Sequence, residues 1–153
     1  MPQFTEIVRS LSPEKFLEIL GASTRKAREV YFARHAIKAA APTRGFAKPG
    51  AKNEQRAQAL FEVLRTKTDD ELAEEVLRSW LLTKRPLLIA ALDFLKVPHN
   101  DGLTDSDELT KVEKLEGREL EALISACEKA APRDEVIVYL RYMGCVAADK
   151  LAS

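Results

Sequence analysis

The segment PLLIAALDFLK, residues 86–96, is the most apolar part of the chain. Its proline suits the first turn of a helix. The apolar residues that follow cover nearly the whole circumference of that helix, and a helix of this kind is buried on most of its faces. We therefore expect residues 86–96 to form the central helix of the core.

Helical periodicity continues outward from this segment in both directions. On the N-terminal side, Ser12 caps a short helix that ends at Gly21. A cap at Ser23 or Thr24 opens a second helix of about five turns, which Pro42 ends. Further helix starts are predicted at Asn53, Thr68, Pro86, Ser106 and Pro132. Another helix is predicted after Gly117, where Leu120, Leu123, Ile124 and Cys127 lie at helical spacing.

Two segments depart from this helical periodicity. Residues 42–53, PTRGFAKPGAKN, hold two prolines and two glycines without periodicity, which predicts a flexible loop. Residues 136–140, VIVYL, have the β-branched content of a strand, but they follow a helix start, and we predict a helix there. The expected fold is all-α, with seven or eight helices in an irregular bundle or a stack of helical hairpins, forming a single domain over residues 1–153.

Composition favours an ordinary globular protein with a core, since 46% of the 153 residues are hydrophobic and 31% are charged. The two cysteines, Cys127 and Cys145, are too few for a disulfide framework, and we expect both to be reduced and buried. The first ten residues lack the pattern of a secretory signal, and the longest apolar run is about half a membrane span. We predict a cytoplasmic protein that has no membrane partner.

Charge is unevenly distributed along the sequence although the net charge is zero. Residues 25–56 contain nine bases and two acids, a formal charge of +7, whereas residues 57–131 contain 10 bases and 16 acids, a charge of −6. A positive surface would attract phosphates or an acidic partner if this separation persists in the folded protein.

The second helix concentrates part of this positive charge. Its bases lie in one sector together with an aromatic residue, opposite Val30, Ala33, Ala36 and Ile37, which are expected to face the core. The candidate surface for a nucleic acid or another partner consists of Arg25, Arg28, Tyr31, Arg34, Lys38, Arg44, Phe46 and Lys48. Bases paired with rings are what single-stranded nucleic acid requires, but a solvated helix face explains the same pattern and is favoured at a pI of 6.8.

No catalytic, metal or cofactor motif is found in the sequence. When Gly102 is aligned with the invariant glycine of the helix-loop-helix calcium motif, Asp101 and Glu108 fall at ligand positions. Val97 and His99 occupy two other ligand positions, so a simple turn is favoured over a calcium site. We predict no metal, no cofactor and no catalytic residue, and we expect Cys127 to be a small core residue.

Asp93 is an acid inside the most apolar helix, where a carboxylate is costly unless it is paired or exposed. Either Asp93 and Lys96 mark one exposed strip of this helix, or Asp93 is a buried functional acid with a shifted pKa. The exposed strip is the favoured interpretation. Trp80 also has two interpretations. Its position on an apolar stripe favours the core, but tryptophan is also a common anchor at interfaces.

The function expected from these features is a non-enzymatic helical protein-interaction module, whose partner is another protein or a second copy of the chain. The alternative is a small nucleic-acid-associated protein that binds through the basic helix and loop of residues 25–56. An enzyme whose active site is assembled from distant residues is the third hypothesis.

Overall fold

The computed structural model describes residues 4–35, 37, 51–103 and 110–151, and these residues are predominantly helical. The helices are α1 (Phe4–Arg9), α2 (Pro13–Gly21), α3 (Arg25–Arg34), α4 (Ala51–Thr66), α5 (Asp70–Leu82), α6 (Arg85–Phe94), α7 (Thr110–Glu113), α8 (Gly117–Cys127), α9 (Arg133–Tyr142) and α10 (Val146–Leu151). The described part of the chain contains no strand, so the all-α prediction is confirmed. Its ten helical segments exceed the predicted seven or eight because several, including α1, are very short.

The contacts between residues divide the chain into two compact units, Phe4–Trp80 and Leu81–Ser153. The boundary falls near the end of α5. Each unit has buried apolar residues of its own. The expectation of a single domain stays a prediction.

In the first unit, α1 and α2 pack against α4. The Ser12 hydroxyl accepts a hydrogen bond from the Lys15 amide at 3.1 Å and caps α2 as predicted. The rings of Phe16 and Phe61 stack across the α2–α4 contact, with centroids 5.0 Å apart. Trp80 is buried in this unit.

Helix α3 differs from its predicted length. Thr24 caps it as expected, but it ends at Arg34 rather than continuing toward Pro42. The Ile37 amide donates to the Phe32 carbonyl at 2.7 Å, which is the bond that closes a helix C-terminus, and the His35 ring binds Asp69. These tertiary and capping contacts stop a helix that local periodicity would continue.

The predicted loop over residues 42–53 is also shorter at its C-terminal end. Helix α4 begins at Ala51, so residues 51–53 are helical. Residues 42–50 lie outside the described part of the chain, as do the candidate surface residues Lys38, Arg44, Phe46 and Lys48.

In the second unit, α6 packs on α8, α8 on α9, and α9 on α10. The buried side of α6 consists of Leu87, Leu88, Ala91 and Leu92. Asp93 is exposed and Phe94 is 40% exposed, so α6 is less completely buried than its sequence predicts. Asp93 therefore lies on an exposed strip and is not a buried acid.

Residues 136–140 are helical within α9, as predicted, and Val136, Val138, Tyr139 and Leu140 are buried. The first turn of α9 is joined to the start of α6, because Lys84 Nζ lies 3.2 Å from a carboxylate oxygen of the buried Glu135. Cys127 and Cys145 are buried as free thiols, which confirms that prediction.

Two helices of the second unit end in the same hydrogen-bond pattern with different residues. After α6, the Val97 amide donates to the Leu92 carbonyl, and Lys96 adopts a positive φ of 57°. After α9, the Cys145 amide donates to the Leu140 carbonyl, and Gly144 adopts a φ of 89°. Glycine is suited to this left-handed position, whereas a residue with a Cβ is strained there.

We therefore expect Lys96→Gly to raise the free energy of unfolding by about 0.5–1 kcal/mol, because strain relief at an exposed position exceeds the added flexibility of the unfolded chain. Gly144→Ala should lower it, since an added Cβ would be strained and would lie 3.3 Å from the Glu113 side chain. Urea denaturation followed by circular dichroism measures both changes. A destabilised Lys96→Gly variant would contradict the interpretation.

Candidate interaction site between helices α3 and α5

The orientation of α3 is the largest departure from the sequence prediction. Tyr31 and Phe32 are buried, whereas Val30 is 51% exposed and Ala33 is also exposed. The predicted core side of this helix, which included Val30 and Ala33, was therefore wrong. Burying two aromatic rings removes more apolar surface from water than burying one valine and one alanine, so the aromatic pair determines which side faces inward.

A groove of about 320 Å³ lies between α3 and α5. Its principal lining residues are Lys26, Ala27, Val30 and Arg34 from α3, and Glu71 and Glu75 from α5. Tyr31 lies at its base, and Val30 presents an apolar surface to it. The groove thus combines a small apolar centre with basic and acidic side chains.

The base of the groove is fixed by a hydrogen bond between the two helices. The Tyr31 hydroxyl donates to a carboxylate oxygen of Glu75. Burial, followed by the neighbouring carboxylate, raises the pKa of Tyr31 well above its usual value, so the phenol remains protonated at neutral pH. Because the Tyr31 ring is only 2% exposed, it offers little face on which a nucleic-acid base could stack.

Asp69 joins the end of α3 to the beginning of α5. Its Oδ1 accepts the Leu72 amide at 3.1 Å and caps α5, while its Oδ2 lies 2.7 Å from His35 Nε2. Arg34 Nη1 approaches the same carboxylate at 3.3 Å. Burial opposes ionisation of Asp69, but the Leu72 amide, His35 and Arg34 together hold its pKa below the usual value.

The cap of α5 is Asp69, one residue after the predicted cap, Thr68. It is supported from α1 by Thr5, whose Oγ1 accepts the Asp69 amide at 3.1 Å and donates to Asp70 Oδ1 at 2.6 Å. The Thr5 amide also donates to Asp70 Oδ1, at 3.0 Å. Thr5 is buried, so these bonds are partly shielded from water.

The role of Asp69 predicts two separable losses of stability. Asp69→Asn keeps a capping side chain but removes the charge that binds Arg34 and His35. Asp69→Ala removes both the cap and the charge, and should lower the free energy of unfolding by about 1 kcal/mol more than Asp69→Asn does. Thermal unfolding of the two variants and the wild type measures this difference. Equal losses in both variants would mean that the cap contributes nothing.

The Asp69 carboxylate also predicts how the stability of the fold depends on pH. Because the folded pKa of Asp69 lies below its unfolded value, its charge stabilises the fold fully above about pH 4, and this contribution is lost as the pH falls through the folded pKa. The stability advantage of the wild type over Asp69→Asn should therefore shrink with acidification below pH 4. An advantage that grows on acidification would contradict this assignment.

The described bases of the candidate surface do not form one free positive patch. Arg34 binds Asp69 and also approaches Glu71 at 3.5 Å, and its guanidinium lies 5.0 Å from the Tyr31 ring centre. Arg28 donates to the Gly21 carbonyl at 3.2 Å. Within the described residues, Arg25 forms no ion pair.

Arg56, another base of the +7 segment, is also neutralised by a neighbour. It makes a bidentate pair with Glu29 at 3.0 and 3.1 Å, and its guanidinium lies 4.1 Å from the centre of the buried Phe32 ring. The structure thus brings Arg34 and Tyr31 together, as the sequence suggested, but in a cluster with acids from α5. The acidic run at the start of α5 was the sequence signal for this pairing.

The turn of residues 99–103 resembles a calcium loop only in composition. Asp101 and Gly102 have φ values of 53° and 87°, as in a tight hairpin turn bridged by Asn100 and Leu103. The Gly102 amide donates to His99 Nδ1 at 3.0 Å, and His99 Nε2 lies 2.7 Å from a carboxylate oxygen of Asp93. Glu108 lies outside the described residues.

Burial also sets the protonation state of the Cys127 thiol. Burial raises the pKa of the Cys127 thiol to about 11, so little thiolate exists at neutral pH.

Among the described residues there is no cluster of three or more histidine, cysteine or acidic side chains suited to a metal ion. In that part of the chain no helix has the length and apolar character needed to cross a membrane.

Comparisons with known proteins identify no relative. No family model, curated protein or solved structure matches the chain.

Proposed function

We propose that this protein is a non-enzymatic helical interaction module that binds a helical segment of a protein chain in the α3–α5 groove. The observation that carries the proposal is the exposure of Val30 in the lining of this groove, beside charged side chains of both signs. A helix that presents one apolar residue to Val30 would remove both side chains from water.

The charges on the two sides of the groove support a protein ligand rather than a nucleic acid. Glu71, whose side chain is 76% exposed, and Glu75 would repel a phosphate backbone that approached the bases of α3. The same carboxylates, one turn apart on α5, suit lysine or arginine residues one turn apart on a bound helix. Nucleic acid thus remains the less favoured alternative.

The polar groups of the groove are arranged to support its walls. Tyr31 binds Glu75, and Arg34 binds Asp69 and Glu71, so these groups hold α3 and α5 together. An enzyme is expected to direct such groups toward a substrate in a deep pocket. This supports a binding role over a catalytic one.

Selection from a displayed library of helical peptides tests the proposal. The wild-type protein should enrich peptides that carry an apolar residue flanked by bases, because those groups match Val30 and the α5 carboxylates. Val30→Glu should lose this binding. Val146→Glu is the matched control, since Val146 is also exposed, at 64%, but lies on α10.

Two outcomes would contradict the proposal. One is the absence of any enriched peptide whose binding depends on Val30. The other is tight, steeply salt-dependent binding of labelled single-stranded RNA that an Arg28→Glu/Arg34→Glu variant abolishes, which would favour the nucleic-acid alternative.

A further inference from the structure

We infer that the groove binds the same groove of a second copy of this chain, so that the protein forms a two-fold dimer in which α3 of each copy lies against α5 of the other. This inference rests on the proposed function and specifies its partner. It follows from the direction and the charge of the two helices that border the groove.

The two helices run in opposite directions along the groove. Tyr31 contacts Glu75, and four residues later His35 contacts Asp69. Advancing along α3 therefore means moving back along α5. Positions on one wall consequently have defined neighbours on the other, with Lys26 at the end of the groove nearer Glu75 and Arg34 at the end nearer Glu71.

The two walls of the groove carry opposite charge. Lys26 and Arg34 line it from α3, and Glu71 and Glu75 line it from α5. The single acid of α3, Glu29, is already paired with Arg56. The groove thus has a basic wall and an acidic wall, whose Arg34 and Glu71 already lie 3.5 Å apart within one copy, and the exposed Val30 belongs to its lining.

A two-fold interface must be complementary to itself, because each contact occurs twice. When the axis runs along the groove, the positive α3 of each copy faces the negative α5 of the other. Lys26 then approaches Glu75 of the second copy, and Val30 is covered. An axis across the groove would instead place α3 against α3 and bring like charges together, so the charge pattern selects the first arrangement.

Sedimentation velocity on the full chain, from low micromolar concentrations to about 100 µM, tests the dimer. We expect a species of twice the 17.1 kDa chain mass, which added salt weakens because the complementary charges are screened. Val30→Glu should raise the dimer dissociation constant at least about tenfold, since a carboxylate would enter a contact that buries valine. Val146→Glu should leave it unchanged.

A second set of variants tests the pairing of α3 with α5. Lys26→Glu should weaken the dimer by placing acid against acid, and adding Glu75→Gln in the same chain should restore part of the loss by removing that repulsion. Glutamine keeps an oxygen that accepts the Tyr31 hydrogen bond, so the groove is retained. Thermal melts check that each variant is folded. Absence of any recovery in the double variant would overturn the α3–α5 pairing.

A chain that stays monomeric throughout, or a dimer unaffected by Val30→Glu, would overturn the inference. If such a monomer still bound library peptides through Val30, the proposed function would stand without this partner. If the wild type were monomeric and Val30→Glu lowered the melting temperature while Val146→Glu did not, Val30 would be covered by its own chain, and the dimer would be excluded.

Discussion

The first unit depends on the carboxylate of Asp69, which serves two helices at once. One oxygen caps α5 through the Leu72 amide, and the other holds His35 at the point where α3 ends. Because both bonds use the same rigid group, the start of α5 and the end of α3 have a fixed separation. The Tyr31–Glu75 hydrogen bond then sets the spacing of the two helices one turn back along α3, and the groove extends past this contact toward Thr24.

Local signals in the sequence were sufficient for the fold class and for several helix starts. Ser12 and Thr24 act as caps because capping requires only an oxygen two or three residues before an amide. The helical state of residues 136–140 followed from the start signals before them, although their composition suited a strand. These features were predictable because the groups that determine them are close together in sequence.

The candidate site could not be predicted in the same way. Hydrophobic periodicity places Val30 on the core side and Tyr31 among the bases, whereas Tyr31 is buried and its hydroxyl binds Glu75, which lies 44 residues away. The length of α3 likewise depends on Asp69, which is 34 residues from His35. Charge shows the same limitation, since the bases Arg34 and Arg56 are both paired with acids in the folded unit although the segment that contains them is strongly positive.

The buried bonds of Thr5 also bear on the order of events during synthesis. Thr5 and Asp70 are 65 residues apart, so α1 cannot form these bonds until nearly the whole first unit has left the ribosome. Until then the apolar side chains Ile7 and Val8 lack this anchor for their native position. A contact of such high sequence separation carries a loop-closure cost, so we expect α1 to dock late in folding and its apolar face to be available to chaperones until then.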